Sequence, residues 1–199
     1  MVISKSISRR HALKVFGGAG ALMVCVPMGS LLAQGAGKSA EELFGGKLGP
    51  FVQINPDNTI TIGAPIPDMG TGVSTSLPMI VANELDADWD GVTIETLPPS
   101  QYLNEKGEPI LNYVLQSTGG SWSVAKAWQP LRECGALARH LILYAAAQSL
   151  SVSIKGLTTK SSHVIVKSTG NKYPYSQFLE AAKKVKVPGL GRKIYRGDN

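Results

Sequence analysis

Residues 59–97 read TITIGAPIPDMGTGVSTSLPMIVANELDADWDGVTIETL, and they predict a strand, a glycine-containing loop, a helix and a second strand in succession. Apolar and polar residues alternate at the start of this stretch, as they do in a half-buried strand. The helix is indicated by apolar residues at helical spacing, namely Leu77, Ile80, Val81 and Leu85. Thr75 or Ser76 is expected to cap this helix, with Pro78 in its first turn. A strand that begins at Val92 then returns from the helix.

The flanking segments extend this pattern to an α+β fold. Residues 51–62 predict a β-hairpin around a Pro-Asp-Asn turn, and residues 163–175 predict a second hairpin. The polar, turn-rich stretch 98–117 is expected to be a long loop, and Ser176 is expected to cap a final helix. We therefore expect a mixed sheet with hairpins and packed helices, formed by one domain over residues 51–199.

Between the two hairpins, residues 117–150 predict a long, well-buried helix that is rich in leucine and alanine. Pro130 either lies in its first turn or kinks a helix that begins near Ser123. Cys134 falls in this helix and is expected to be a small core residue. Because Cys25 belongs to the N-terminal segment, Cys134 is the single cysteine after it. An internal disulfide, an iron–sulfur cluster and a cysteine-rich zinc site are therefore excluded there.

The first 36 residues have the composition of an export signal. The heptapeptide SRRHALK at 8–14 matches the twin-arginine pattern, an apolar run of about 15 residues follows, and small residues suited to cleavage lie near 33–36. The run is too short and too rich in glycine for a membrane span, which needs roughly 20 residues. We expect a twin-arginine signal over 1–36, a linker over 37–50, and a protein in the periplasm or on the periplasmic face of the inner membrane. The alternative is a basic N-terminal helix that is retained.

The charge distribution argues against nucleic acid as a partner. The formal charge of +6 includes four cations in residues 1–36, and the remainder has 16 Lys/Arg against 14 Asp/Glu. Residues 41–110 hold eleven acids and two cations, whereas residues 111–199 hold thirteen cations and three acids. This segregation indicates either two solvated faces or a basic C-terminal arm that contacts an acidic partner.

Two glycine loops carry the chemistry that the residues themselves suggest. Residues 70–76, GTGVSTS, open the first helix, and residues 117–123, STGGSWS, open the long one. Helix N-termini offer free N–H groups and a positive dipole end, glycine lets the backbone close on an anion, and hydroxyls donate to its oxygens. Each loop taken alone is also compatible with an ordinary capped helix. Together they indicate a site for a phosphorylated or diphosphate ligand, although neither has the spacing of a P-loop or a Rossmann motif.

No catalytic or metal-binding constellation is recognisable in the sequence. His11, His140 and His163 lack metal-ligand spacing, and GGSWS is not a nucleophile elbow. An acidic cluster is expected to be a solvated helix end rather than a cation site; it comprises Glu84, Asp86, Asp88 and Asp90. Trp122 and Trp128 are interpreted as packing residues rather than as a ligand box.

Four stretches, in their order and spacing, resemble the molybdopterin-binding large subunit of the molybdenum hydroxylases, the xanthine dehydrogenase and aldehyde oxidase superfamily. They are SRRHALK (8–14), VQINPDNTITIGAPIPDMG (52–70), MGTGVSTSLPMIVANELDADWDGVTIE (69–95) and STGGSWSVAKAWQPLRECGALAR (117–139). The branch that they resemble most contains the isoquinoline 1-oxidoreductase β subunit and the exported aldehyde dehydrogenases. The likeness is clear to about residue 150, and it implies the N-terminal portion of such a subunit, with the fold of part of the molybdopterin-binding domain.

The resemblance implies cofactor contacts by position. In that family a Met-Gly-Gln-Gly loop approaches the metal end of the cofactor, and a later Ser/Thr-rich loop holds the pterin and its phosphates. The first set of contacts here is Gly70, Thr71, Gly72 and Thr75, and the second set is Thr118, Gly119, Gly120, Ser121 and Ser123. Thr71 stands where the family has glutamine, so a shorter hydroxyl replaces the amide near the metal. No carboxylate matches the family's catalytic glutamate, which lies in a part of the subunit that these stretches do not cover.

The resemblance also implies a function. The chain is expected to be the cofactor-binding part of an aldehyde dehydrogenase or isoquinoline 1-oxidoreductase type enzyme, inactive alone and an oxidoreductase when assembled. The expected cofactor is molybdopterin with molybdenum, in the cytosine dinucleotide form. The expected partners are the remainder of the large subunit, an iron–sulfur small subunit and a cytochrome c subunit. The alternative is a truncated or decayed, non-catalytic exported binding protein.

Overall fold

The computed structural model describes residues 22–24, 52–97, 101–103, 109–111 and 116–186. The predicted twin-arginine motif, the linker and most of the basic C-terminal arm lie outside these ranges. Within the described part of the chain, none of the helices combines the length and apolar character that a membrane span requires.

The first sheet has four strands in the order β1-β2-β3-β4. They are β1 (Leu22–Val24), β2 (Val52–Ile54), β3 (Ile60–Ala64) and β4 (Val92–Thr96). Strands β1, β2 and β3 pair antiparallel, which confirms the predicted hairpin, and β3 pairs parallel with β4. The hairpin turn is closed by the Asn55 N–H, which donates to the Thr59 carbonyl at 2.9 Å. Residues 22–24, from the apolar run near the N-terminus, thus form the edge strand beside β2.

Helix α1 (Val73–Leu85) connects the two parallel strands. Parallel neighbours need a crossover connection, because the chain must return to the end at which the first strand began. The helix buries the predicted stripe against the sheet, and Leu77, Val81 and Leu85 are inaccessible to solvent. The predicted order of strand, helix and returning strand is therefore confirmed.

Helix α2 (Ser123–Leu150) packs beside α1, begins at Ser123 and runs through Pro130. The two helices approach closely at Gly135, because a Cβ atom there would lie 2.5 Å from the Val81 carbonyl oxygen. Cys134 is fully buried, as predicted.

A second sheet follows α2, with the strands β7 (Leu157–Lys160), β8 (His163–Val166) and β9 (Lys172–Pro174) as an antiparallel meander. The β8–β9 hairpin was predicted, whereas β7 was not. The stretch predicted as a long loop contains two paired strands, β5 (Gln101–Leu103) and β6 (Pro109–Leu111), so that prediction is wrong there.

Helix α3 (Leu179–Lys183) ends the described chain after a 3₁₀ turn at Tyr175–Phe178. The prediction that Ser176 caps this helix is wrong, because Ser176 lies within the 3₁₀ turn and Phe178 occupies the N-cap position. The Ser176 N–H donates instead to Asn58 Oδ1 at 3.0 Å. Asn58 Nδ2 also donates to the Ser162 carbonyl at 3.3 Å, so one side chain in the first hairpin turn ties the first sheet to the β7–β8–β9 sheet. Helix α2 contacts these two sheets and α3, and one core joins them in an α+β fold.

The prediction that the acidic cluster is a solvated helix end is wrong for two of its four residues, Glu84 and Asp86. Glu84 is only 2% exposed, and its Oε1 accepts from Arg132 Nε at 2.6 Å. Asp86 lies 3.8 Å from the Arg139 guanidinium and accepts from the Thr159 hydroxyl. These carboxylates therefore fasten the end of α1 to α2 and to β7 instead of facing water.

Candidate functional site

The loop that leads into α1 is organised around its own carboxylate. We call residues 65–72 the α1 loop. Asp68 Oδ1 accepts the backbone N–H groups of Gly70 and Thr71 at 2.8 Å and of Gly72 at 3.2 Å. Asp68 Oδ2 accepts from Ser74, at 2.7 Å from its hydroxyl and 3.1 Å from its N–H. The chain thus folds around an internal anion, and the N–H groups that the sequence suggested for a ligand are already used at this loop.

These hydrogen bonds also determine the ionisation of Asp68. The bonds from the Ser74 hydroxyl and N–H favour the carboxylate most, and those from the Gly70 and Thr71 N–H groups add to them. They hold the pKa of Asp68 far below the usual aspartate range, so the side chain is a permanent anion at neutral pH. Asp68 was not predicted as a site residue, although its place two positions before Gly70 is typical of a side chain that caps its own turn.

Helix α1 begins one turn earlier than its predicted cap. Gly72 occupies the N-cap position with φ 76°, and no side-chain hydroxyl caps the helix. The Thr75 N–H donates to the Gly72 carbonyl at 3.2 Å, so Thr75 belongs to the first helical turn and its side chain is exposed. The prediction that Thr75 or Ser76 caps α1 is wrong, because Asp68 satisfies the free N–H groups from outside the helix.

The predicted contacts of the first set lie on the exposed side of the α1 loop. Gly70 and Gly72 have φ 98° and 76°, which favours glycine, and nothing lies within 4 Å of the position that a Cβ atom would take at either. Thr71 is exposed, with its hydroxyl 3.5 Å from Asp68 Oδ1. Backbone and hydroxyl groups are therefore accessible to a molecule that approaches this face.

The loop that leads into α2, residues 117–122, is here called the α2 loop. Gly120 and Ser121 adopt the left-handed conformation, with φ 55° and 57°. A Cβ atom on Gly120 would lie 2.2 Å from Trp122 Nε1, so the indole occupies the space that a side chain would need. Ser123 is the buried first residue of α2, whereas Gly119, Gly120 and Ser121 are exposed.

The structure brings the two loops together. The Thr118 hydroxyl donates to the Pro67 carbonyl at 2.5 Å, which joins the α2 loop to the α1 loop at the N-terminal end of both helices. Beside this contact is an open cavity of about 170 Å³, lined by Ile66, Ser117, Thr118, Gly119, Trp122 and Lys126. Lys126 Nζ lies 4.0 Å from the centre of the Trp122 ring.

Trp122 and Lys126 were not predicted as site residues. Trp122 is 55% exposed and Trp128 is 48% exposed, so their interpretation as packing residues is wrong. A signal was available in the sequence, since Trp122 and Lys126 are four positions apart and therefore adjacent on one face of a helix. Lys126 adds the positive charge that the predicted hydroxyl and glycine set lacks.

The two histidines among the described residues, His140 and His163, lie apart from the loops. His140 packs against the Tyr144 ring with 4.4 Å between ring centroids, and His163 Nδ1 lies 2.7 Å from the Ser161 carbonyl oxygen. Among the described residues, no group of three His, Cys, Asp or Glu side chains is arranged to hold a metal ion. The polar groups around the cavity are thus hydroxyls, backbone and one lysine, which suit an anionic organic ligand better than a bare cation.

A family model described as the molybdopterin cofactor-binding domain matches residues 18–198, which is most of the chain. The chain belongs to the molybdopterin cofactor-binding family of the molybdenum hydroxylases. This membership confirms the resemblance on which the sequence analysis relied, including its branch.

Two relatives of the chain are much longer than the chain itself. It is 31% identical to the isoquinoline 1-oxidoreductase subunit beta of Brevundimonas diminuta, covering 69% of this chain and 17% of that protein. It is 30% identical to the membrane-bound aldehyde dehydrogenase (pyrroloquinoline-quinone) of Gluconacetobacter polyoxogenes, covering 65% of this chain and 15% of that protein. The chain therefore spans less than a fifth of the length of these relatives.

A solved structure, the reconstituted CO dehydrogenase from Oligotropha carboxidovorans, aligns with 64% of the chain and 15% of its own. The TM-score of that alignment is 0.49 and the sequence identity is 20%.

Proposed function

We propose that the chain contributes one side of a molybdopterin cofactor site to a molybdenum-dependent oxidoreductase. The observation that carries this proposal is the junction of the two glycine loops through Thr118 and Pro67, beside a cavity that Lys126 borders. The first set of contacts would face the metal end of the cofactor. The second set, from Thr118 to Ser123, would hold the pterin and its phosphates.

The donor groups at the α2 loop fit the phosphate-bearing part of such a cofactor. The Ser117 hydroxyl can donate to phosphate oxygens, the Lys126 ammonium supplies an opposite charge, and Gly119 leaves the backbone accessible. The α1 loop does not offer the same chemistry, because the Asp68 carboxylate already occupies its N–H groups. When bound, the cofactor supplies the redox-active metal, while these residues bind and orient it.

The size of the cavity argues for a site that is completed by other parts of an assembly. Ligand pockets that bury a drug-sized molecule have volumes of about 300–1,000 Å³, whereas the cavity beside the loops is about 170 Å³ and open. The chain also spans 17% and 15% of two relatives. We infer that the remainder of a large subunit closes the site and that the chain alone is inactive.

The activity class follows from the relatives' names. They act as an isoquinoline 1-oxidoreductase and an aldehyde dehydrogenase, so we propose that the assembled enzyme oxidises an aldehyde or hydroxylates an N-heterocycle. The proposed form of the cofactor is the cytosine dinucleotide. Electrons would leave through an iron–sulfur small subunit to a cytochrome c subunit. Export by the twin-arginine pathway to the periplasm agrees with SRRHALK near the N-terminus.

A second candidate function is a non-catalytic exported binding protein. Thr71 favours it, because its hydroxyl lies 3.5 Å from Asp68, where the family would supply a longer amide to the metal. This candidate shares the fold and the loops with the first, but it predicts that the protein recovered from cells contains neither molybdenum nor pterin.

The test is a pair of substitutions in the α2 loop of the assembled complex. Gly119→Val with Gly120→Val adds bulk where the phosphates are proposed to bind, and we expect the purified complex to lose its pterin and molybdenum. Gly170→Val is the matched control, because Gly170 also has a positive φ of 74° but lies in the β8–β9 turn. A double variant that retains the cofactor as well as the control does would disprove the assignment of the α2 loop.

A further inference from the structure

Asp68 is absent from the predicted contact set, yet it organises the loop that contains that set. Its two carboxylate oxygens accept the backbone N–H groups of Gly70, Thr71, Gly72 and Ser74 and the Ser74 hydroxyl. The side chain itself is exposed. An exposed carboxylate that accepts this many bonds from its own chain does the work that a bound anion does at other helix N-termini.

We propose that Asp68 is the positioning residue of the cofactor site: it acts as an internal anion that holds the α1 loop in its binding shape and leaves phosphate binding to the α2 loop. This inference rests on the proposed function for the identity of the ligand. It assigns opposite electrostatic roles to two loops whose sequences look alike. Residues 70–72 are exposed and would contact the cofactor beside Asp68, while Lys126 would attract the phosphates.

The opposite charges of Asp68 and Lys126 distinguish the proposed roles of the α1 and α2 loops. A phosphate that entered the α1 loop would have to displace the exposed carboxylate or bind beside it, and like charges within hydrogen-bonding distance repel each other even where water screens part of the interaction. At the α2 loop the charge nearest to the cavity is the Lys126 ammonium, and the Ser117 hydroxyl is a further side-chain donor on its lining, since the Thr118 hydroxyl already donates to Pro67. The anionic end of the cofactor is therefore directed to the α2 loop by both attraction and repulsion.

The first experiment uses the full chain without any cofactor and follows its backbone amide resonances by NMR. In the wild type we expect the amides of Gly70, Thr71 and Ser74 to be unaffected by millimolar formate or inorganic phosphate. In Asp68→Ala these amides lose their acceptor, and we expect them to shift saturably with formate, which replaces the missing carboxylate. Wild-type amides that respond to phosphate, or variant amides that ignore formate, would overturn the proposal.

Two further variants keep this experiment decisive. Asp57→Ala is the matched control, because the Asp57 carboxylate similarly accepts the Thr59 N–H at 3.0 Å and its hydroxyl at 2.6 Å, but in the β2–β3 turn. Its loss should leave the α1 loop amides unchanged. If Asp68→Ala does not fold, Asp68→Asn serves instead: its amide nitrogen cannot accept from Ser74, so the Ser74 N–H should exchange with solvent faster. Unchanged exchange of that N–H would contradict the proposal.

The second experiment measures molybdenum and pterin in the assembled complex. We expect Asp68→Ala to lower the cofactor content per folded complex by about tenfold, as substitutions of residues that orient ligands do. Asp68→Glu should restore it, because the loop has open space for a longer carboxylate, whereas Asp57→Ala should not change it. Normal content in Asp68→Ala would refute the positioning role. A wild-type complex without pterin would refute the proposed function instead and leave the NMR result unaffected.

Discussion

At the scale of single residues, Asp68 couples the α1 loop to pH. Its hydrogen bonds lower its pKa in the folded chain, so the unfolded chain takes up a proton at a higher pH than the folded one. The stability that Asp68 contributes is therefore fully present above about pH 4, the ordinary aspartate value, and is lost as the pH falls further. The Asp68→Asn variant should lack this dependence.

The measurement is urea unfolding of the wild type and Asp68→Asn over a pH series. We expect the difference in unfolding free energy between them to be constant near neutral pH and to shrink below about pH 4. A difference that grows on acidification would contradict the role of Asp68 as an ionised acceptor.

Gly135 permits the close packing of the two long helices. A Cβ atom there would lie 2.5 Å from the Val81 carbonyl oxygen and 2.9 Å from the Glu84 Cβ, and backbone cannot yield as a flexible side chain can. We expect Gly135→Ala to lower the unfolding free energy by about 1–3 kcal/mol, the usual cost of overpacking. Gly91→Ala, at a position with no neighbour within 4 Å, is the control for urea unfolding. Equal stabilities of the two variants would mean that the helices move apart without cost.

Some single-residue features follow from the sequence and others do not. The burial of Leu77, Val81 and Leu85 follows from their spacing, because only one face of a helix can meet a sheet. The role of Asp68 does not, since it requires residues 70–74 to fold back around the carboxylate. The position of the Trp122 indole beside Gly120 likewise depends on three-dimensional packing.

At the scale of elements, the ion pair between Glu84 and Arg132 fastens α1 to α2. Glu84 is buried, while the Arg132 side chain is 29% exposed. We expect Arg132→Met to cost about 2–3 kcal/mol of unfolding free energy, at or below the lower end of the range for a buried pair, because water partly screens the guanidinium. A double-mutant cycle with Glu84→Gln should give a coupling that exceeds the one between Lys183 and Glu180, an exposed pair in α3. Equal couplings would show that the pair does not hold the helices together.

The two long helices end in the same way, and this repetition escaped the sequence analysis. Asp86 and Ser151 both follow a helix in the left-handed conformation, with φ 56° and 54°. A 3₁₀ turn follows each, at Trp89–Gly91 and Ile154–Gly156, and a strand begins directly afterwards. Residues 85–91 and 150–156 share only their first residue, leucine, and their last, glycine, so the similarity lies in backbone conformation and not in sequence. Strand β4 could be predicted from its own alternation of apolar and polar residues, whereas β7 is short and polar and could not.

At the scale of the whole molecule, one hydrophobic core supports two adjacent glycine loops that form one side of the proposed cofactor site. The bond from the Thr118 hydroxyl to the Pro67 carbonyl brings the two glycine loops together, as their predicted shared role requires. The sequence suggested that both loops hold phosphate; the structure leaves only the α2 loop with the charge for it. The sequence could not predict that the α1 loop carries a negative charge and the α2 loop a positive one. Only the folded loops place the Asp68 carboxylate against the N–H groups of one loop and the Lys126 ammonium beside the cavity at the other.

The open cavity of about 170 Å³ has a consequence for the chain in isolation. Purified by itself, the chain should bind no molybdenum and show no dye-linked aldehyde oxidation, because we propose that other parts of an assembly enclose the cofactor. Activity in the isolated chain would overturn the inference that the site is incomplete.

The most direct measurement is the molybdenum and pterin content of the complex recovered with this chain from the cells that produce it. If the two glycine loops form one side of a molybdopterin site, the complex contains molybdenum and pterin in equal amounts, and the variant with Gly119→Val and Gly120→Val contains neither. A recovered complex that lacks both in the wild type would contradict the proposed function and identify the chain as a non-catalytic member of its family.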